Sequence, residues 1–131
     1  MKIVLDTNVL ISSMLTPTGL SYDVVSRALK KHLVILSDYI LSEFHHRLVE
    51  KFKWPEEAIE EATRFFKRGT IIVNPDVNAK IMFDDPKDVP ILQLIQFTKA
   101  NYLITGDKKV LALKTFEGTL IFSPREALEF L

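Results

Sequence analysis

Residues 2–6 read Lys-Ile-Val-Leu-Asp, and this short stretch decides the fold. Its apolar residues are consecutive, not alternating, and include the β-branched Ile3 and Val4. That is the pattern of a strand buried on both faces, which belongs to a parallel sheet covered by helices. The pattern recurs in LVIL (33–36), TIIV (70–73), YLIT (102–105) and TLIF (119–122), which predict four more strands. Helical stretches are expected between them, over 8–14, 20–32, 38–52, Pro55 to Arg68, 86–99 and 108–114. In 38–52 the apolar seam is Leu41, Phe44, Leu48 and Phe52. A loop is expected through 74–84. Ser123-Pro124-Arg125-Glu126 has the form of a capping box and opens a terminal helix. Strands alternating with helices in this way give an α/β fold, a three-layer α/β/α sandwich around a central parallel sheet.

The chain has 131 residues, with 17 Lys+Arg balancing 17 Asp+Glu. That length fits one domain, 1–131. A hydrophobic fraction of 47% and a charged fraction of 26% are those of a globular domain, not of a disordered or fibrous one. There is no cysteine, which excludes disulfides, thiolate metal sites and a cysteine nucleophile. Asp6, Asn8, Ser12 and Ser13 interrupt any signal-peptide core near the start, and no apolar run approaches the roughly 20 residues a membrane span needs. A cytoplasmic protein without membrane contact is expected. Zero net charge excludes coating of nucleic acid by bulk electrostatics. Charge is nevertheless segregated, since residues 27–53 carry six Lys/Arg against three acids.

In parallel α/β sheets, ligands sit beyond the carboxyl ends of the strands, where strand order reverses. Two predicted strands end in acids, KIVL at Asp6 and YLIT-Gly at Asp107. Each could simply cap the following helix. If the two strands are neighbours, both carboxylates share one crevice. Asp88 falls at N3 of a helix capped by Asp85, a favourable place for an acid, but it also heads the inward face of Leu92 and Ile95. Glu43 lies off the apolar seam of its helix, with Arg47 four residues on as an ordinary surface partner. On spacing alone Glu43 is a solvated residue. The histidines His32, His45 and His46 fit surface positions, and no nucleotide-cradling or serine-hydrolase motif occurs.

Crowded carboxylates repel unless a cation intervenes. Oxygen-only donors select hard ions, so Mg²⁺ or Mn²⁺ is the expected cofactor. Such ions clamp phosphoryl oxygens, and the chemistry indicated is metal-assisted phosphoester hydrolysis.

VLDTNVLISS (4–13), DPKDVPILQL (85–94) and ITGDKKVL (104–111) together resemble the acidic segments of PIN domains, a family of metal-dependent ribonucleases that includes VapC-type toxins. LSEFHHRL (41–48) resembles the family's helix carrying the second acid. The resemblance implies that Asp6, Glu43, Asp88 and Asp107 are the catalytic and metal-binding acids. It makes Asn8 and Thr105 supporting residues, with Thr105 facing water or phosphate. It further implies a five-stranded sheet of order 3-2-1-4-5, an RNA substrate, an antitoxin partner and a homodimer. Arg47, Lys108 and Lys109 are candidate RNA phosphate contacts. The family often has an acid two residues after the fourth carboxylate and a small residue on the helix after the third. Here Lys109 and Ile95 stand there, and Lys109 removes a ligand that a second tightly held ion would use.

Two other functions are open to such a chain. A haloacid-dehalogenase-type phosphatase needs D-x-D after its first strand, and Asp6-Thr7-Asn8 puts an amide where the acid/base belongs. A PIN-like module that binds RNA or protein without cutting would keep the same fold.

Overall fold

The computed structural model describes residues 1–76 and 81–131. The expected loop 74–84 therefore includes four residues, 77–80, outside the described ones. Three apolar residues in a row close the first strand, β1 (Lys2–Leu5), and Ile3, Val4 and Leu5 are all fully buried. Successive strand residues point to opposite faces, so both faces of β1 are covered. The helices α1 (Thr7–Leu15) and α2 (Leu20–Lys31) follow, then β2 (Leu33–Leu36), which lies parallel to β1. α3 (Asp38–Glu50) starts at Ser37, whose hydroxyl accepts from the Ile40 N–H. α3 buries the seam Leu41, Phe44 and Leu48; Phe52 lies beyond its end, partly buried. Phe44 meets Phe66 of α4 (Glu56–Gly69) edge to face at 5.5 Å.

β3 (Ile71–Ile72) pairs parallel with β2, and it is shorter than the expected 70–73. β4 (Tyr102–Ile104) lies parallel on the other side of β1. After the short α6 (Lys108–Leu111) the chain departs from the expected five strands. β5 (Thr115–Phe116) pairs antiparallel with β6 (Thr119–Phe122) and makes a sixth. Glu117 and Gly118, at φ 49° and 85°, form the two-residue turn, and positive φ at both central positions matches the twist of a hairpin. The order is therefore β3-β2-β1-β4-β6-β5, the expected 3-2-1-4-5 with one added edge strand. The capping box at Ser123 forms: its hydroxyl accepts from Glu126 N–H at 3.2 Å, and Glu126 accepts from Ser123 N–H at 2.9 Å. It opens α7 (Pro124–Leu128).

The remaining helix, α5 (Val89–Thr98), begins three residues later than the expected 86. An α-helix starting at Pro86 would need the residue 90 N–H to bond back to the Pro86 carbonyl, and Pro90 has none. Pro86–Asp88 instead form a 3₁₀ turn closed by the Val89 N–H on the Pro86 carbonyl. Among the described residues, no helix is long and apolar enough to cross a membrane.

Candidate active site

Strand order reverses between β1 and β4, so a crevice opens beyond their carboxyl ends. A pocket of about 140 Å³ lies there, and Asp6, Glu43, Asp88 and Asp107 all line it. The sequence separates these four acids widely, and the sheet brings them together.

Asp6 follows β1 directly, and its N–H donates to the Ile104 carbonyl of β4 at 3.0 Å. One carboxylate oxygen accepts from Thr7 N–H at 2.8 Å and the other from the Thr105 hydroxyl at 2.8 Å. That hydroxyl also accepts from the Asp107 N–H at 3.0 Å. Thr105 is fully buried and links the two strand-end acids. Asp107 caps α6 by accepting from Lys109 and Val110 N–H groups at 2.8 and 3.4 Å. Capping and pocket lining thus coexist in both acids. Asn8 Oδ1 accepts from Gly106 N–H at 3.0 Å and fixes the loop between them.

Asp85, not Asp88, caps the 3₁₀ turn, accepting from Lys87 N–H at 3.0 Å. Asp88 is only 8% exposed, makes no side-chain cap to α5, and leaves Oδ2 buried without a hydrogen-bond partner. The late start of α5 therefore places Asp88 outside N3 of the helix and inside the pocket.

Glu43 reaches the pocket from α3 together with Tyr39 and Arg47, at i−4 and i+4. These three form a second stripe on α3, beside the apolar seam. The Arg47 Nε lies 3.6 Å from Glu43 Oε2. Tyr39 Oη donates to the Lys87 carbonyl at 3.3 Å and ties α3 to the turn that carries Asp88. Tyr39 and Lys87 escaped the sequence reading, although the 39/43/47 spacing was a signal for Tyr39. Lys108 and Lys109 are exposed and stand outside the pocket lining. His45 pairs with Glu56 at 2.6 Å, away from the site, and His32 is half-buried with Nδ1 unpartnered.

The electrostatics follow from burial and crowding. Burial pushes the Asp88 carboxyl up to about 7, helped by the Asp107 charge and a shared proton with it, then by Asp85 and Asp6. Burial also raises Asp6; the Thr105 hydroxyl, the Thr7 N–H and the Arg47 charge oppose this, and Asp107 adds to it. The Tyr39 phenol is raised by burial first and by the Glu43 carboxylate second.

Among the described residues, no three acid or histidine side chains converge closely enough to ligate one ion directly. The donors present are all oxygens, and Asp88 Oδ2 lacks any partner. Such a set fits a hydrated hard cation, since Mg²⁺ keeps several waters and takes only one or two carboxylates directly.

Fold and crevice define a class, a parallel α/β domain with acids gathered at the strand-order reversal. Residues 2–109 match the PIN domain family, and the chain belongs to that family. It is 28% identical over 118 residues to the uncharacterized protein MJ1680 of Methanocaldococcus jannaschii, covering 86% of this chain and 75% of that protein. Its fold is similar to a chain in the crystal structure of VapBC2 from Rickettsia felis bound to a DNA fragment from their promoter. That likeness has a TM-score of 0.68 at 14% identity and covers 94% of this chain and 98% of the other.

Proposed function

We propose that residues 1–131 form one metal-dependent ribonuclease domain, with Asp6, Glu43, Asp88 and Asp107 holding Mg²⁺ or Mn²⁺. The observation that carries this reading is the convergence of four acids on one crevice pocket, with a buried carboxylate oxygen of Asp88 left unpaired. When bound, the ion supplies charge for phosphoryl oxygens and acidifies water. The chain's own residues do the rest. Thr105 holds Asp6 and Asp107 in fixed relation. Burial and the Asp107 charge raise the Asp88 carboxyl, a penalty that a bound cation would relieve. Arg47 at the pocket wall offers a charge-assisted contact to a phosphate, and the exposed Lys108 and Lys109 extend the basic path for a strand. Asn8 is committed to Gly106, which leaves no acid/base for the phosphatase chemistry of a D-x-D site.

The fold shared with a VapBC2 chain supports an antitoxin protein as a partner, and the family supports RNA in the cytoplasm as the substrate. A non-catalytic RNA- or protein-binding module is the second reading, favoured by the absence, among the described residues, of three directly converging ligands.

The test is cleavage of pooled structured RNAs with Mg²⁺ or Mn²⁺, comparing wild type with Asp6→Asn and Asp107→Asn. Both variants should lose activity by orders of magnitude while melting cooperatively. Full activity in either variant, or in excess EDTA, would overturn the assignment. Binding without cleavage under either cation would establish the second reading.

A further inference from the structure

Thr105 joins Asp6 to Asp107, which leaves Glu43 on α3 and Asp88 on the 3₁₀ turn to be held by other means. The turn's own bonds are local. Lys87 N–H donates to Asp85 Oδ1, Asp88 N–H to the Asp85 carbonyl at 3.0 Å, and Val89 N–H to the Pro86 carbonyl. None of these three fixes the turn relative to α3. Tyr39 does, because its Oη donates to the Lys87 carbonyl at 3.3 Å across 48 residues of chain.

The Lys87 C=O and the Asp88 N–H belong to one planar peptide unit that ends at the Asp88 Cα. Tyr39 holds that plane at its oxygen, and the Asp85 carbonyl holds it at its hydrogen. Only rotations within Asp88 itself then remain between this plane and its carboxylate. Tyr39 also stands one helical turn before Glu43 on the crevice stripe of α3. Burial first, and then the Glu43 carboxylate, raise the phenol above its usual range, with Arg47 opposing and Asp88 adding. It stays a protonated donor at neutral pH. Tyr39 is 37% exposed and lies off the apolar seam, so core packing does not account for it.

We propose that Tyr39 is a positioning residue for the cation site, its hydroxyl setting the Asp88 turn against Glu43 as the Thr105 hydroxyl sets Asp6 against Asp107. The role rests on the metal-dependent reading above. Asp88 shares the crevice with three other acids, and their mutual repulsion drives the turn outward when no cation is bound. A neutral donor resists that displacement without adding a positive charge that would repel the ion.

Tyr39→Phe removes the hydroxyl and keeps the ring, and Tyr39→Leu removes both. Titration with Mn²⁺, read from the electron paramagnetic resonance signal of the free ion, measures affinity without RNA. Both variants should bind Mn²⁺ about 10- to 100-fold more weakly, the loss expected when a group supporting a ligand is removed. In EDTA, amide exchange at Asp88 and Val89 should speed several-fold in Tyr39→Phe, while that at Val4 and Leu103 in the sheet stays unchanged. In RNA cleavage kcat should fall with KM nearly unchanged, and excess Mn²⁺ should restore much of the rate. Wild-type Mn²⁺ affinity in Tyr39→Phe would overturn the role, whatever Tyr39→Leu does. A raised KM for RNA with Mn²⁺ affinity intact would make Tyr39 a substrate contact instead. A wild type that binds no Mn²⁺ would overturn the metal reading itself, and this role with it.

Discussion

Asp88→Asn should stabilise the metal-free protein, and the size of the effect follows from its surroundings. The carboxyl rises from an ordinary 3.8 to about 7, chiefly through burial and then through Asp107. The folded state therefore holds this proton more tightly than the unfolded chain. Below pH 3.8 both states are protonated and the group is neutral in stability. Between 3.8 and about 7 the unfolded chain releases the proton first, so stability falls as pH rises, and above 7 the penalty is constant. At about 1.36 kcal/mol per unit, its upper bound is roughly 4 kcal/mol, shared with Asp107 because the two titrate together. Asparagine keeps the shape and can still donate to Asp107, but carries no charge to desolvate. In EDTA at pH 8 the variant should exceed wild type by about 1–3 kcal/mol, several degrees in Tm. Its stability should also fall less between pH 5 and pH 8; Asp6, also raised, retains part of the slope. Adding Mn²⁺ should stabilise wild type by about 2.7 kcal/mol at a hundredfold excess over Kd, and the variant by less. Thermal melts at two pH values, with EDTA or Mn²⁺, read all of this. A variant that melts lower in EDTA and responds normally to Mn²⁺ would mean that Asp88 is a favourable first-turn acid and nothing more.

Two further perturbations probe the supports of the site. Thr105→Val removes the hydroxyl between Asp6 and Asp107 while keeping side-chain volume, so it should destabilise by about 1–3 kcal/mol and raise the Asp6 carboxyl further. Chemical denaturation and the pH dependence of stability measure both effects, and a neutral substitution would mean that the linkage contributes nothing. Arg47→Ala should weaken RNA binding and lower the slope of log affinity against log salt by about 0.7, the value for one phosphate contact on a single strand. An unchanged slope would place the RNA away from the Glu43 side of the pocket.

The parts of this molecule legible in the sequence are those where burial writes a pattern. Ile3, Val4 and Leu5 are consecutive and apolar because both faces of β1 are covered, and the acids that end β1 and follow β4 could be placed together on that basis. β5 left no such mark: Thr115–Phe116 is too short for any periodicity, and its turn puts Glu117, not the more usual Asn or Asp, at a positive φ. The start of α5 was written in the chain, but in what Pro90 lacks. A missing N–H at residue 90 forbids the α-turn from Pro86, and the 3₁₀ turn that replaces it gives Asp88 its buried position. Glu43 shows a different limit. A hydrophobic seam reports which face of a helix meets the core, and α3 uses Leu41, Phe44 and Leu48 for that. The face that meets the crevice is polar, because it lines a pocket for charge, so its Tyr39/Glu43/Arg47 spacing looks like solvated surface until the strand ends are placed beneath it. Apolar periodicity can therefore locate the sheet and still miss the site. The charged side chains that line the crevice come from four separate segments, so no apolar repeat marks them.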